Sequence, residues 1–500
     1  MPINYAGTII RASLVILLAL VLSLNSAAGP AWSGEMTAPP GISKTTVIAE
    51  PQTTKPDGEE KGKITLEESI KLALEQSTNI ITAVQEISAK YYQKKQTFTA
   101  FLPSFKTGYS YTRLSDTPVT TMGGLLPISL PTAPQDNYNF FVSVTEPVFT
   151  GFSRLTAYEI SELNLDVANV QLQTARLTLI LSVKQAYYTI LRSVKAIEVA
   201  ESSVQALASH AKVAKDFYDV GMIPENDWLR SEVELANAQQ DLVRARNDFE
   251  SSCAFFNTIL RRDISIPVSV YDILTYTPCE KALDKYFATA RTTRPELKEM
   301  KLRINLSEKD IKLTKSEYYP SLSVAYTYNK LGENPTMDEY NYGKSDTWTV
   351  AAMLNWTFWE WNRTNYKVQE KNTGLKKAEQ LLIQTRDQVD LDVKRSYLDL
   401  ITAEKNIFVG EKSIQQAKEA YRMAEQRYVE QVTTSTEVLD AQNLLVKAQN
   451  YYYNALYAYN LAKAGLTKAI GQDDGPVKTA LEKVVDYGYL PAANQPFIHP

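Results

Sequence analysis

Few residues of this chain are suited to chemistry. Its 500 residues include 2 His and 2 Cys, so the usual general bases and zinc ligands are nearly absent. His210 lies near lysines in a predicted helix and His499 in the C-terminal tail. Neither stands beside a recognisable catalytic motif, and we expect both on the surface. This composition weighs against a hydrolase or a metalloenzyme, so we predict no enzyme, no catalytic residue, no metal site and no cofactor.

The two cysteines are better explained by packing than by reactivity. We expect Cys253 to pack within a helix and Cys279 to belong to a linker. A mutual disulfide can form in an oxidising compartment, but nothing beyond their being two supports it.

A pair of carboxylates offers a different kind of chemistry. Glu437 and Asp440 are three residues apart, which places both on one face of a helix. Two carboxylates on one face concentrate negative charge, which would favour cations over anions. The alternative is an ordinary solvated face near a helix N-terminus, stabilised by the helix dipole. The residues alone favour that alternative.

Charge and composition limit the class of protein. The chain has 53 Lys+Arg against 57 Asp+Glu, a formal charge of −4, which excludes a basic nucleic-acid binder. At 44% hydrophobic and 22% charged residues it is too apolar to be disordered and long enough for a large core.

The N-terminus is typical of an exported protein. Arg11 precedes an apolar run, 12–24, and small residues at 26–28. The run is shorter than the ~20 residues of a membrane-spanning helix, so we predict a signal peptide at 1–28, with an uncleaved anchor as the alternative. Residues 29–62, rich in Pro and Thr, are predicted to be a disordered leader. No later apolar run is long enough to span a bilayer as a helix, so any membrane residence must use strands.

An internal duplication organises the rest of the chain. A shift of 217 residues matches Pro103, Ser104 and Tyr109 to Pro320, Ser321 and Tyr326, and a shift of 210 matches Tyr187, Tyr218 and Leu229 to Tyr397, Tyr428 and Leu439. We therefore predict a first structural repeat at 63–277, a second at 278–471 and a tail at 472–500.

Each copy carries the same order of elements. Thr65 and Glu68 have the spacing of a capping box before a short helix, and a second helix runs to about Phe101. Alternating apolar residues then predict two strands, joined in the first copy by a loop at 115–137. A helix of ~100 Å follows over 152–223, since it contains no proline, and a return helix runs to about Arg262. The second copy repeats this over 361–431 and 433–470.

The strands suggest a membrane assembly. Four strands of about ten residues can cross an outer membrane but cannot close a barrel, so three copies would supply 12 strands. Symmetry would then make the long helices a hollow cylinder. Trp348, Trp356, Trp359 and Trp361 flank the last strand, as in the aromatic girdles of such barrels. The alternative is that they are core aromatics of a soluble sheet.

Several segments resemble the outer-membrane factor family of TolC-type efflux and secretion proteins. They are ITLEESI at 64–70, LPS at 102–104, EPVFTG at 146–151 and TEVLDA at 436–441. The resemblance implies a trimeric 12-stranded outer-membrane β-barrel continued by a long α-helical coiled-coil barrel in the periplasm of a Gram-negative cell. It also implies a passive channel of a tripartite efflux pump or type I secretion system. Expected partners are a homotrimer, outer-membrane lipid, a periplasmic adaptor and an inner-membrane pump of RND, ABC or MFS type, with no nucleic acid.

The resemblance also assigns roles to residues at the ends of the helices. Glu437 and Asp440 match the acidic pore constriction, and Asp227 and Tyr428 match contacts of the closed state. The basic residue that the family has after the turn glycine is missing here, since Thr433 stands in its place and Gln431 stands in place of the glycine. We therefore expect the closed state to be held differently or less tightly. The adaptor-docking turns are Gly221, Met222, Ile223, Pro224, Gln431, Val432 and Thr433.

A second class of function stays open at this point. A non-conducting envelope scaffold or coiled-coil adhesin would explain export and long helices. It would not explain amphipathic strands at the same points of both copies. The exported substrate is not specified by the sequence.

Overall fold

The computed structural model describes residues 63–122, 128–279 and 282–472. The predicted signal peptide and leader, and the tail beyond Gln472, lie outside these residues. The chain divides into two compact units. One contains residues 91–164 and 305–376, and the other contains the remaining described residues.

The elements follow the predicted order in both copies. In chain order they are β1 Lys63–Ile64, α1 Leu66–Gln76, α2 Thr78–Thr99, β2 Ser104–Arg113, β3 Val119–Met122, β4 Ile128–Pro131, β5 Asp136–Thr150, α3 Ser153–Asp219, α4 Glu225–Ile259, β6 Ser269–Val270, α5 Leu283–Thr293, α6 Pro295–Lys315, β7 Ser321–Gly332, β8 Asp346–Asn355, α7 Arg363–Val429 and α8 Ser435–Ala469.

The first unit contains a four-stranded antiparallel sheet in the order β2-β5-β7-β8. Its central pair joins the two copies, since β5 of the first pairs with β7 of the second; Phe140 lies opposite Lys330. One strand of each copy is left at an edge. The four strands are those predicted, and the pairing of β5 with β7 was not specified by the sequence.

The predicted loop at 115–137 contains a feature that the sequence did not indicate. β3 and β4 pair as a separate antiparallel hairpin, with Val119 opposite Pro131. The segment is rich in Pro, Gly and Thr and lacks a run of alternating apolar residues, so the two-residue period that identifies a strand is absent.

The long helices have equal lengths in the two copies. α3 and α7 contain 67 residues each, and α4 and α8 contain 35 each. At 1.5 Å per residue α3 is about 100 Å long, as predicted. Pro224 is the N-cap of α4. Among the described helices, none is long and apolar enough to cross a membrane.

The same strand-to-helix junction occurs twice. Gly151 and Phe152 have φ of 61° and 69° before α3, and Trp361 and Asn362 have φ of 54° and 61° before α7. A side chain at Gly151 would also collide, because a Cβ there would lie 2.5 Å from the backbone oxygen of Ser316. The duplication therefore extends to unusual backbone conformations.

The second unit holds the main hydrophobic core. Tyr187, Phe256 and Tyr459 are among its fully buried side chains. The Tyr187 hydroxyl donates towards the backbone oxygens of Tyr271, at 2.9 Å, and Ile64, at 3.2 Å. The predicted capping box is present, with Thr65 and Glu68 exchanging side-chain and backbone hydrogen bonds.

The cysteines lie where packing predicts. Cys253 is buried in α4, and Cys279 is half-buried in the segment between β6 and α5. Both are free thiols, so the disulfide that the sequence left open is not formed.

Candidate functional site

The predicted site residues surround two turns in the second unit. One turn joins α3 to α4 and the other joins α7 to α8. Gly221 N–H donates to the Tyr218 carbonyl and Met222 N–H to the Phe217 carbonyl, both at 2.8 Å. The second turn repeats both bonds at equivalent positions, at 2.9 and 2.8 Å. Both helices thus end in a Schellman motif.

Gln431 occupies the position that glycine holds in the first turn. Its φ is 61°, against 78° for Gly221. This confirms that the two turns correspond, although a side chain is present in the second.

The turn tips are exposed and apolar. Val220, Met222 and Val432 have 68%, 58% and 64% of their surface exposed. The Gln431 side-chain amide donates to the Met222 sulfur at 3.0 Å. The two hairpins therefore touch each other at their tips.

Glu437 and Asp440 lie in the first two turns of α8, and both are exposed. Glu437 is not an isolated charge: its carboxylate is 3.1 Å from a guanidinium nitrogen of Arg427 and also accepts from the Thr433 hydroxyl. Arg427 lies in the last turn of α7, so each charge is at the end of a helix whose dipole favours it. Within the described chain Asp440 forms no ion pair.

Asp227 and Tyr428 interact electrostatically but form no hydrogen bond with each other. Tyr428 is buried, and burial raises the pKa of its phenol, with the charge of Asp227 raising it further. The hydroxyl forms no hydrogen bond of acceptable geometry within the described residues. Their role as closed-state contacts stays a prediction.

His210 was expected on the surface, and this expectation was wrong. Its side chain is buried, with 5% of its surface exposed, and its Nε2 lies 2.8 Å from the Ser435 hydroxyl. Leu207, His210 and Ala214 follow the three-four spacing of the buried face of α3, whereas Lys212 and Lys215 point to solvent. The neighbouring lysines lie on another face of α3, so they do not indicate the exposure of His210. His499 lies outside the described residues.

Other polar residues near the turns were missed. Ser231 of α4 bonds Ser435 of α8 at 3.0 Å, and Arg230 donates to Thr436 at 3.1 Å. The internal repeat gave no signal, because alanines occupy the equivalents of His210 and Ser231, at 420 and 441. Apolar periodicity could have placed His210 but not its partner. The part of the chain that the structure describes contains no group of three His, Cys, Asp or Glu side chains able to hold a metal.

The arrangement of two equal hairpins and a strand pair per copy corresponds to a known family. The family model for outer membrane efflux proteins matches residues 69–254 and again 287–472. The two matches fall on the two copies and cover more than half of the chain. The chain belongs to the outer membrane efflux protein family.

Relatives of this efflux protein agree with the assignment. Outer membrane protein TolC of Vibrio cholerae is 24% identical over 313 residues, which cover 61% of this chain and 70% of TolC. The CmeC outer membrane channel of Campylobacter jejuni is 14% identical with a TM-score of 0.71, covering 84% of this chain and 88% of CmeC. The outer-membrane channel OprN is 14% identical with a TM-score of 0.70, covering 82% and 90%. At these identities the structures establish the fold.

Membership gives the efflux protein its location and general activity. It is an outer-membrane efflux channel of the Gram-negative envelope that extends into the periplasm. Its family consists of channel proteins.

Proposed function

We propose that three copies of this chain join sheet edge to sheet edge and form a passive conduit from the periplasm to the exterior. In this proposal an inner-membrane pump supplies the energy, and docking of a periplasmic adaptor opens the conduit.

The unpaired edges of the sheet carry this proposal. β2 pairs with β5 and β8 pairs with β7, and within the described chain their outer edges have no partner. An unpaired backbone N–H or C=O costs several kcal/mol in lipid. Because neighbouring strands alternate in direction, β8 of one copy meets β2 of the next as an antiparallel pair. Three copies then give a closed ring of about 12 strands, an even number.

Exposed tryptophans support a membrane position for these strands. Trp348 lies in β8, and Trp356, Trp359 and Trp361 follow its end; all four are exposed. Tryptophan is favoured at the boundary between lipid and water, where its ring meets lipid and its N–H meets water.

In the proposed trimer the acidic residues of α8 line the periplasmic constriction. Glu437 and Asp440 would form rings of negative charge that favour cations. Arg427 offsets the charge of Glu437, so Asp440 carries most of the preference. Asp227 and Tyr428 would belong to the closed state, with the Arg427–Glu437 pair in place of the missing basic residue after the turn.

The two turns would receive the adaptor. Their exposed apolar tips, Val220, Met222 and Val432, suit an apolar helical partner. The pump, of RND, ABC or MFS type, and the adaptor would select the substrate, so the same conduit would serve efflux or type I secretion.

The first experiment combines molecular mass and conductance. The mature protein in detergent is expected to have the mass of a trimer by native mass spectrometry. In planar bilayers it should give discrete, cation-selective channels blocked by millimolar divalent cations, with weaker selectivity and block in Glu437→Ala/Asp440→Ala. Asp241→Ala/Glu250→Ala, which removes two exposed carboxylates of α4, is the control and should behave as wild type.

Each result has a distinct meaning. Channels unaffected by the double substitution would keep the conduit and remove the acidic site. A folded trimer that forms no channels would favour the scaffold.

A second experiment tests docking. Met222→Asp and Val432→Asp are expected to abolish crosslinking to the adaptor while leaving the conductance of the isolated trimer unchanged. Val243→Asp places the same charge at an exposed valine of α4 and should leave crosslinking intact. Equal crosslinking in all three variants would contradict the assignment of the turns.

A further inference from the structure

A buried polar cluster joins the four long helices close to their turns. It consists of His210 on α3, Ser231 on α4, Tyr428 on α7 and Ser435 on α8, all of them buried. The His210 Nε2 lies 2.8 Å from the Ser435 hydroxyl, which lies 3.0 Å from the Ser231 hydroxyl. The His210 and Tyr428 rings are 4.8 Å apart. Each hairpin contributes two members, so the cluster ties one hairpin to the other.

The hydrogen bonds of the cluster have a defined direction. The Ser231 hydroxyl donates to the backbone oxygen of Asp227 at 3.1 Å, and its single proton is then used. Ser435 therefore donates to Ser231, and the Ser435 oxygen accepts from His210. This order requires a proton on Nε2, which a neutral imidazole supplies as its single N–H. Within the described residues the structure shows no acceptor for a second proton on Nδ1.

Apolar packing surrounds this chain of bonds. Leu207, Ala238 and Leu439 form a small buried cluster from three of the four helices, and Ala424, Tyr428, Val438 and Ala441 form another. His210, Ser231 and Ser435 are themselves buried, so an added charge among them is costly.

Ionisable groups on the neighbouring helices do not pair with the imidazole. On α7 the facing group is the phenol of Tyr428, and on α4 it is the carboxylate of Asp227, whose charge acts on that phenol. On α8 the carboxylate of Glu437 is held by Arg427, and on α3 itself Lys212 and Lys215 are exposed. His210 takes part in no ion pair among the described residues. Burial accordingly lowers its pKa to about 4 from an ordinary 6.5.

The lowered pKa of His210 determines how the stability of the fold changes with pH. A histidine whose pKa is lower in the folded state binds its proton more readily when unfolded. It therefore contributes stability above about pH 6.5 that is lost as the pH falls towards 4. The lost stability belongs to the contact between the two hairpins, because His210 on one hairpin bonds Ser435 on the other.

We propose that His210 is a proton-operated latch between the α3–α4 and α7–α8 hairpins. Neutral, it holds α8 through Ser435. Protonated, it brings a charge and an unmatched N–H into the apolar region, and the hairpins separate at their turns. The latch stands on the cluster itself, and its effect on conductance rests on the proposed conduit.

The histidine content of the chain makes the latch directly measurable. The only histidines are His210 and His499, so full-length protein labelled with ¹³C at histidine Cε1 gives two resonances. His499→Gln identifies the second. We expect the His210 resonance to keep its neutral shift near neutral pH and to titrate with a midpoint of about 4. A midpoint at or above the ordinary value of about 6.5 would overturn the proposal.

A second measurement follows the hairpins. Hydrogen exchange of peptides covering 205–222 and 425–440, corrected for the intrinsic effect of pH, is expected to rise at least about tenfold between pH 7.5 and pH 4 in wild type. His210→Gln keeps a donor and cannot titrate, so it should show no such rise. An equal rise in both proteins would assign the change to carboxylates and refute the latch. Because the resonance is measured on protein with native His210, a poorly folding variant leaves the proposal testable.

Channel recordings separate the latch from the conduit. More frequent opening at about pH 4 than at pH 7.5 in wild type, but not in His210→Gln, would support both. A low-pH rise in exchange without channels would keep the latch and remove the conduit. Channels from a protein whose hairpin peptides exchange at the same rate at both pH values would keep the conduit and remove the latch.

Discussion

Gly221 and Gln431 hold the same left-handed backbone conformation at equivalent turns, with φ of 78° and 61°. Glycine adopts it without steric cost, whereas a residue with a side chain loses roughly 1–2 kcal/mol. The second turn therefore carries a conformational cost that the first does not. The contact of Gln431 with the Met222 sulfur returns part of it.

Exchanging these residues should have opposite effects on the two turns. We expect Gly221→Gln to lower the free energy of unfolding by about 1 kcal/mol, and Gln431→Gly to raise it by a few tenths of a kcal/mol. Denaturant unfolding of the detergent-solubilised protein measures both. Gly374→Gln is the control: Gly374 lies within α7 and has open space around it, so the same change should stabilise by about 0.5–1 kcal/mol. Destabilisation by both glycine substitutions would contradict this explanation.

Arg427 should limit the cation preference of the proposed pore. Its guanidinium lies 3.1 Å from the Glu437 carboxylate, so Arg427→Gln removes one positive charge per chain beside the acidic residues. We expect a higher cation-to-anion permeability ratio and stronger divalent block in bilayer recordings. Arg422→Gln breaks a similar exposed pair, with Glu419 on the same helix, and should change neither. A lower ratio in Arg427→Gln would show that Arg427 does not act on the pore through Glu437.

The hydroxyl of Tyr187 should contribute measurably to the free energy of unfolding. It is fully buried and bonds the backbone oxygen of Tyr271 in the segment between β6 and α5. Tyr187→Phe leaves that oxygen unsatisfied, so we expect a loss of about 1–2 kcal/mol in the free energy of unfolding. Tyr366→Phe alters an exposed tyrosine and should change stability by less than about 0.5 kcal/mol. Equal values for the two variants would show that the buried bond contributes nothing.

The cysteines should differ in reactivity. Burial, followed by the charge of Glu250, raises the pKa of the Cys253 thiol to about 11, so little thiolate exists near pH 8. In folded protein we expect a thiol reagent to modify Cys279 and to leave Cys253 unmodified for hours; in denaturant both should react. Cys279→Ser should then show no fast phase. Rapid modification of that variant would mean that the helix around Cys253 opens readily.

Regular, local patterns made most of the fold predictable. Thr65 and Glu68 predicted the start of their helix, because a capping box is complete within four residues. The absence of proline and a three-four apolar spacing likewise fixed α3 to within a few residues. The pairing of β5 with β7 could not be read in this way, because it depends on contacts between distant segments.

The site was less predictable because its contacts cross turns and helices. Arg427 and Glu437 lie on opposite sides of the turn and meet only because the Schellman motif reverses the chain between them. The basic partner was expected after the turn, whereas Arg427 precedes it. Ser435 and His210 are 225 residues apart. Neither residue type signals a partner at that distance, and only the buried face of α3 hinted at the histidine.

The central strand pair has a consequence for synthesis and export. β2 can pair with β5, and β7 with β8, as local hairpins. The pairing of β5 with β7 is long-range, because Thr150 pairs with Ser321, roughly 170 residues later. An N-terminal hairpin emerging first therefore has an unsatisfied edge for the whole time that α3, α4 and the intervening segment are being delivered. Such an edge is open to wrong partners during that interval. The first half of the chain is thus most open to mispairing before the second half arrives.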